Sequence, residues 1–83
     1  MRIPKRLTIG GQLVKVKYDD IEPAGLADFE NSTIILRKGM KRRITEETFF
    51  HECMHFTNTT VSHSLLDSIS HSMYALLKNN KLI

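Results

Sequence analysis

The sequence predicts an α+β fold, in which a small antiparallel sheet of two hairpins is followed by two antiparallel helices. Three observations support this class. Residues 1–38 contain short β-rich runs separated by turn residues, whereas residues 45–78 carry apolar side chains at helical spacing. Only a few polar residues interrupt the helical half, so the two helices should pack against each other as a hairpin. With 83 residues, 41% of them hydrophobic and 25% charged, the chain should form a single domain (residues 1–83) with a modest core.

Four strands are predicted in the first half, at residues 6–9, 12–18, 26–30 and 33–38. Gly10-Gly11 joins the first pair and is a two-residue hairpin signal, while the second pair turns around Asn31-Ser32. Apolar and polar residues alternate from Val14 to Tyr18, which predicts one buried face. The uninterrupted Ile34-Ile35-Leu36 favours either a strand covered on both sides or a short edge strand.

The first helix is predicted at residues 45–57. Thr45 is a candidate N-cap, and Glu46 and Glu47 would place negative charge in the first turn, where the helix dipole favours it. Ile44 and Phe49 have the spacing of a hydrophobic staple around such a cap.

The second helix is predicted at residues 62–78, after a polar, β-branched break at Asn58-Thr59-Thr60. Asn79-Asn80 is the expected C-cap. Its predicted core stripe is formed by Leu66, Ile69, Met73, Leu76 and Leu77.

The most specific motif is His51-Glu52-Cys53-Met54-His55, which matches the HExxH pattern of zinc metallopeptidases. Residues four apart lie one above the other on a helix, so His51 and His55 can present two imidazoles to one Zn²⁺. Glu52 lies beside them and can act as general base on a metal-activated water. The motif therefore predicts a catalytic zinc site on the first helix.

The opposite side of the same helix is apolar. Phe49, Cys53 and Phe56 recur at helical spacing and should face the core. Cys53 is the only cysteine, so no internal disulfide can form, and a reducing compartment is expected. Because it points away from the histidines, we interpret Cys53 as a small core residue and not as a ligand or nucleophile.

A catalytic zinc usually has three protein ligands, so a third is needed from outside the first helix. His63, Asp67 and His71 lie four apart on one flank of the second helix. His63 is the preferred third ligand, because it begins the returning helix and can face His55. Asp67 is a candidate for hydrogen bonding to a ligating imidazole, or an alternative ligand. His71 should lie beyond the metal, near the start of the first helix, and remains a further alternative.

The net charge of +3 includes a basic cluster of Arg37, Lys38, Lys41, Arg42 and Arg43. No interleaved aromatic residues or nucleic-acid motif accompany it, so a solvated loop is favoured and nucleic-acid binding is not expected. The N-terminal segment lacks the apolar run of a signal peptide, and no stretch has transmembrane length. We therefore expect a cytoplasmic protein without membrane contact; the sequence sets no oligomeric state.

The chain resembles the small HExxH proteins encoded by bacteriophages and prophages, a minimal gluzincin-like group of zincin metallopeptidases loosely related to the ImmA/IrrE and SprT-like families. The similar segments are Gly25-Leu26-Ala27-Asp28 followed by Ile34-Ile35-Leu36, Thr48 through His55, and Leu66 through Asn79. The resemblance covers nearly the whole chain, but only its HExxH part is chemically specific.

This resemblance implies that His51 and His55 are zinc ligands and that Glu52 is the general base. It also implies that residues 33–36 form the edge strand along which an extended peptide would lie. Where the group tends to have a glutamate early in the returning helix, the matching position of this chain is either His63 or Ser62. A phage origin would place the protein in the host cytoplasm.

Three functions follow from these observations. The first is a zinc-dependent peptidase acting on a peptide or protein, for which Tyr74 and His71 are candidates to stabilise the oxyanion. The second is a non-catalytic binding module that keeps the scaffold and engages a host protein or nucleic acid through residues 37–43 or the strand edge. The third is a closed structural zinc site with four ligands, His51, His55, His63 and Asp67.

Overall fold

The computed structural model describes residues 1–57 and 62–83. The predicted break at Asn58-Thr59-Thr60 lies outside this range. The α+β class is confirmed, with four strands followed by two helices. In chain order these elements are β1 (Arg6–Ile9), β2 (Gln12–Asp19), β3 (Gly25–Asp28), β4 (Thr33–Arg37), α1 (Arg42–Thr57) and α2 (His63–Asn79).

Both predicted hairpins are present and share one four-stranded sheet with the order β1-β2-β4-β3. Gly10 and Gly11 have φ values of 57° and 81°, as a two-residue turn between β1 and β2 requires. The hairpins meet through a parallel pairing of β2 with β4, in which Val16 lies opposite Ile34. The sheet is therefore mostly antiparallel, with one parallel pair at its centre.

The position of β4 corrects both interpretations of Ile34-Ile35-Leu36. This strand is not an edge strand, because it lies between β2 and β3; the edge beside it is β3. Nor is it covered on both sides. Ile34 and Leu36 are fully buried on the face that packs against α1, whereas Ile35 is only half-buried on the opposite face. The resemblance-based assignment of residues 33–36 as the peptide-binding edge is therefore wrong.

The core lies between the inner face of the sheet and α1. It is formed by Val14, Val16, Ile34, Leu36 and Phe49. Cys53 and Phe56 pack against it, as their spacing predicts. Burial, reinforced by the nearby charge of Glu52, raises the pKa of the Cys53 thiol to about 12, so Cys53 is a protonated core residue.

Helix α1 begins at Arg42, three residues earlier than predicted. Thr45 is therefore not the N-cap: it lies inside the helix, where its hydroxyl donates to the carbonyl of Lys41 at 3.0 Å. Ile44 is 48% exposed and does not form a staple. The additional turn also moves Glu46 out of the helix terminus and into the interior, where it is fully buried.

Helix α2 has the predicted ends but a rotated core face. Ser62 caps its N-terminus by accepting a hydrogen bond from the amide of Leu65, and Asn80 caps its C-terminus. The buried residues are Leu66, Ser70 and Tyr74. Of the predicted stripe, Leu66 is buried and Leu77 half-buried, but Ile69, Met73 and Leu76 are exposed.

Neither of the helices in residues 1–57 and 62–83 has the length and apolar character needed to span a bilayer.

Candidate metal centre

Three histidines from the two helices converge on one point. The Nε2 atoms of His51 and His55 are 3.1 Å apart. His63 approaches from α2, with ring centroids 4.9 Å from His51 and 5.5 Å from His55. One ring nitrogen from each of the three lies within 4.8 Å of the others. The structure thus brings together the three residues that the sequence predicts as metal ligands.

Local structure explains this convergence. His51 and His55 are one helical turn apart on α1, so their rings project from the same side. His63 is the first residue of α2, immediately after the Ser62 cap, and the returning helix places it opposite the end of α1. The position of His63 therefore depends on how α2 begins.

The environment of His51 and His55 favours the form that binds a metal. Burial, followed by the neighbouring His63, lowers the pKa of His51, although Asp67 acts in the opposite direction. Burial and the two other imidazoles also lower the pKa of His55. A lower pKa favours the neutral imidazole, whose free lone pair can coordinate a metal at neutral pH.

The donor set fits a zinc ion. In a tetrahedral site with Zn–N distances of about 2.05 Å, ligand nitrogens are about 3.3 Å apart. The 3.1 Å between His51 and His55 is close to this value. Since all ligand atoms lie within 4.8 Å of one another, closure around zinc needs a movement of His63 of about 1.5 Å or less. Three imidazoles would leave one coordination position for a water or substrate.

Glu52 lies beside this cluster and is almost completely buried, with 6% of its surface exposed. Burial raises the pKa of its carboxyl group to about 7. A carboxylate with a pKa near neutrality can accept a proton and release it again at physiological pH. This property is what a general base in a hydrolytic site requires.

Gly25 on β3 packs directly against the helix at Glu52. A Cβ atom at Gly25 would lie 2.5 Å from Thr48 Cγ2 and 3.1 Å from Glu52 Oε2. The edge strand and the helix can approach this closely only because Gly25 has no side chain. The sequence contains no signal that connects Gly25 with Glu52.

The two remaining candidates of α2 have different positions. Asp67 Oδ1 lies 3.2 Å from His51 Nδ1, the ring nitrogen not directed at His55, so it can orient the imidazole. It is not among the residues that could jointly hold the ion in the described part of the chain. His71 contacts Glu47 through its Nδ1 atom and lies outside the cluster, as its spacing predicts.

A cleft of about 430 Å³ opens over the candidate centre. Its walls are the residues before and at the start of β3, one side of α1 and the facing side of α2. Together they contribute Pro23, Ala24, Gly25, Ile44, Glu47, Thr48, His51, Glu52, His63, Asp67, Ser70 and His71. The cleft is large enough for a few residues of an extended peptide, with Glu52 and two of the histidines at its surface.

A second polar cluster supports the helix that carries the site. Tyr74 donates a 2.8 Å hydrogen bond to the buried carboxylate of Glu46, which also contacts Arg42 at 3.0 Å and Lys78 at 3.5 Å. Burial alone would raise the pKa of Glu46, but the hydrogen bond from Tyr74 and the charge of Lys78 outweigh it and lower the pKa. Because the Tyr74 hydroxyl is buried and engaged here, Tyr74 is not positioned to stabilise an oxyanion in the cleft.

All three arginines of the basic cluster make contacts within the protein. Arg37 donates to the carbonyl of Glu22, Arg42 pairs with Glu46, and the guanidinium of Arg43 lies 5.3 Å from the ring centroid of Tyr74. Arg37 belongs to β4 and Arg42 and Arg43 belong to α1, so the expected loop is limited to residues 38–41.

No family model, curated protein or solved structure matches this chain. The functional interpretation therefore depends on the residues and geometry described above.

Proposed function

We propose that the protein is a zinc-dependent peptidase of the small HExxH type that its sequence resembles. The observation that carries this proposal is the convergence of His51, His55 and His63 beside the buried Glu52. Two of these histidines and the glutamate belong to one motif, and the third comes from a separate helix. Such an arrangement supplies three ligands and a general base at one point, and Glu52, His51 and His63 line the same cleft.

The reaction needs few groups from the chain. Bound zinc would polarise the scissile carbonyl and lower the pKa of the attacking water. Glu52 accepts a proton from this water while the water oxygen bonds to the carbonyl carbon. It then delivers the proton to the leaving nitrogen as the C–N bond breaks. Asp67 holds the His51 ring in the orientation that directs the other nitrogen at the centre.

The substrate would lie along β3 and not β4. β3 is an edge of the sheet, and its first residue, Gly25, lines the cleft. An extended peptide can pair with such an edge through backbone hydrogen bonds, which are independent of its side chains. We accordingly infer an extended segment of a peptide or protein as substrate. The single cysteine, which is half-buried, suits a reducing, cytoplasmic environment.

Metal analysis of the purified protein tests the proposal first. Near-stoichiometric zinc is expected in the wild type, and strongly reduced zinc in His51→Ala and His63→Ala. His71→Ala is the matched control: it removes a histidine from the same helix and should keep the metal. Absence of zinc after incubation with the ion under reducing conditions would refute the metal site.

Glu52→Gln separates a peptidase from a binding module and from a structural zinc site. As a peptidase, the variant should keep zinc but lose cleavage of a quenched-fluorescence peptide library by at least about 100-fold. Wild-type protein that binds zinc but cleaves no peptide in the library would favour the non-catalytic alternatives.

A further inference from the structure

One side of α2 is apolar but faces solvent. Leu65, Ile69, Met73 and Leu76 are 53%, 38%, 45% and 54% exposed and follow one another along the helix. We call these four residues the outer face of α2. Leu82, just beyond the helix, is 65% exposed. Single exposed apolar residues are ordinary, but four in one line over three turns form a continuous patch.

Nothing in the described part of the chain covers this face. Helix α2 packs against α1 and makes no substantial contact with any strand. It does so through Leu66, Ser70 and Tyr74, about 100° around the helix from the centre of the outer face. The contact with α1 thus covers only about half of the apolar surface of α2.

The chemistry of the outer face limits its partner. Its four side chains carry no charge, and Ser68 and Ser72 border it on one side. An anionic membrane would require several basic residues beside the apolar stripe, but Lys78 is the only lysine or arginine in α2. A charged protein surface would find no ionic complement here. The fitting partner is another uncharged apolar helix face.

A second copy of the chain supplies that surface in a matching arrangement. The spacings along the outer face are four, four and three residues, which makes it nearly symmetric about its middle. In an antiparallel pair of α2 helices, Leu65 would lie opposite the partner's Leu76, and Ile69 opposite the partner's Met73. This reciprocity is the property of an interface with two-fold symmetry. We propose that the outer face of α2 is a self-association surface through which two copies form a dimer.

The size of the face predicts the strength of the dimer. At about 120 Å² for a fully exposed aliphatic side chain, the half-exposed residues of the outer face and Leu82 offer roughly 300 Å² of apolar surface per copy. A stable homodimer buries roughly 800 Å² per partner, about two thirds of it apolar. The surface is therefore at the small end, and a weak, reversible dimer is expected.

Dimerisation would leave the candidate metal centre accessible. The cleft residues of α2, which include His63, Asp67 and His71, lie on other sides of the helix than the outer face. Each copy would keep its own open cleft. The proposal consequently does not depend on zinc or on peptidase activity.

Sedimentation velocity of the full chain over a wide concentration range tests the proposal. The wild type should change from a monomer of 9.6 kDa towards twice that mass as the concentration rises. Ile69→Glu and Met73→Glu should each weaken association at least about 10-fold, because a charge would be buried at the centre of the interface. Leu13→Glu is the matched control: Leu13 is 55% exposed but lies on the sheet, so its substitution should have no effect. Circular dichroism verifies that the variants are folded.

Disulfide trapping tests the antiparallel orientation. A mixture of Leu65→Cys and Leu76→Cys proteins should form mainly the mixed disulfide, because these positions face each other only between the two variants. A wild type that stays monomeric at the highest concentrations would overturn the proposal, as would equal weakening by Leu13→Glu. Binding of the monomer to lipid vesicles through the same residues would overturn it in favour of a membrane.

Discussion

The contact between Gly25 and α1 allows a stringent test of the site architecture. Alanine at this position would place its Cβ 2.5 Å from Thr48 Cγ2, whereas carbon atoms in contact are about 3.5–4.0 Å apart. Strand β3 and the helix would have to separate by about 1 Å, or Thr48 would have to move. Overpacking of this kind costs about 1–3 kcal/mol, so Gly25→Ala should reduce the free energy of unfolding by that amount.

Thr48→Ser isolates the cause, because it removes only the clashing methyl group and keeps the hydroxyl. Alone it should cost about 0.5–1 kcal/mol. The double variant Gly25→Ala/Thr48→Ser should be more stable, by about 1–2 kcal/mol of unfolding free energy, than the sum of the two single effects predicts. Recovery should be incomplete, since the new Cβ also lies 3.1–3.2 Å from two atoms of Glu52.

Urea denaturation of the metal-free protein, followed by circular dichroism, measures this cycle. Thr8→Ser is the control partner for Gly25→Ala. It lies on β1, at the opposite edge of the sheet, and should combine additively to within about 0.5 kcal/mol. Additive effects of Gly25→Ala and Thr48→Ser would refute the close packing of β3 on the helix.

Three further predictions concern individual side chains. Burial raises the pKa of Glu52 from 4.5 to about 7, so its stabilising protonation is complete below pH 4.5 and is lost as the pH rises through 7. The metal-free wild type should therefore lose about 3 kcal/mol of unfolding free energy through Glu52 between pH 4.5 and pH 8, and Glu52→Gln should not show this loss. Urea denaturation across this pH range measures the difference, and the same pH profile in both proteins would contradict the prediction. Tyr74→Phe deletes the 2.8 Å hydrogen bond to the buried Glu46 and should cost about 1.5–3 kcal/mol at pH 7 in the same assay, without changing zinc content. Asp67→Asn should weaken zinc binding about 10–100-fold in a competition titration with a chelator, because Asp67 orients His51; unchanged affinity would exclude that role.

The sequence predicted the local features of the fold well. The turn at Gly10-Gly11 and the C-cap of α2 depend on neighbouring residues, and each is where the pattern indicated. The parallel pairing of β2 with β4 was not predicted, because periodicity within a strand contains no information about its non-sequential neighbour. The same limitation explains why residues 33–36 were assigned to an edge.

The sequence pattern also did not predict which face of α2 is buried. Apolar residues cover about half of this helix, and periodicity alone cannot decide which part faces α1. In the structure, Tyr74 contacts Glu46 and Asp67 contacts His51. With α2 in this orientation, Ile69 and Met73 face outwards.

The candidate site was predictable to the extent that it is encoded in one motif. His51, Glu52 and His55 are fixed relative to one another by the helix itself. His63 required only the assumption that the second helix returns alongside the first. Gly25 had no comparable signal, because its importance arises from the approach of an edge strand to the side chain of Glu52.

The placement of β3 has a consequence for the motions of the cleft. This strand is four residues long, pairs only with β4 within the described residues, and forms an outer edge of the sheet. If β3 detached, only its short backbone pairing with β4 and its packing against α1 would be lost. The pairings among β1, β2 and β4 would remain. Local opening therefore costs less free energy here than in the central strands, and the amide hydrogens of Gly25–Asp28 should exchange with solvent faster than those of β2. The strand along which a substrate is proposed to lie is thus a part of the sheet that opens more readily than its centre.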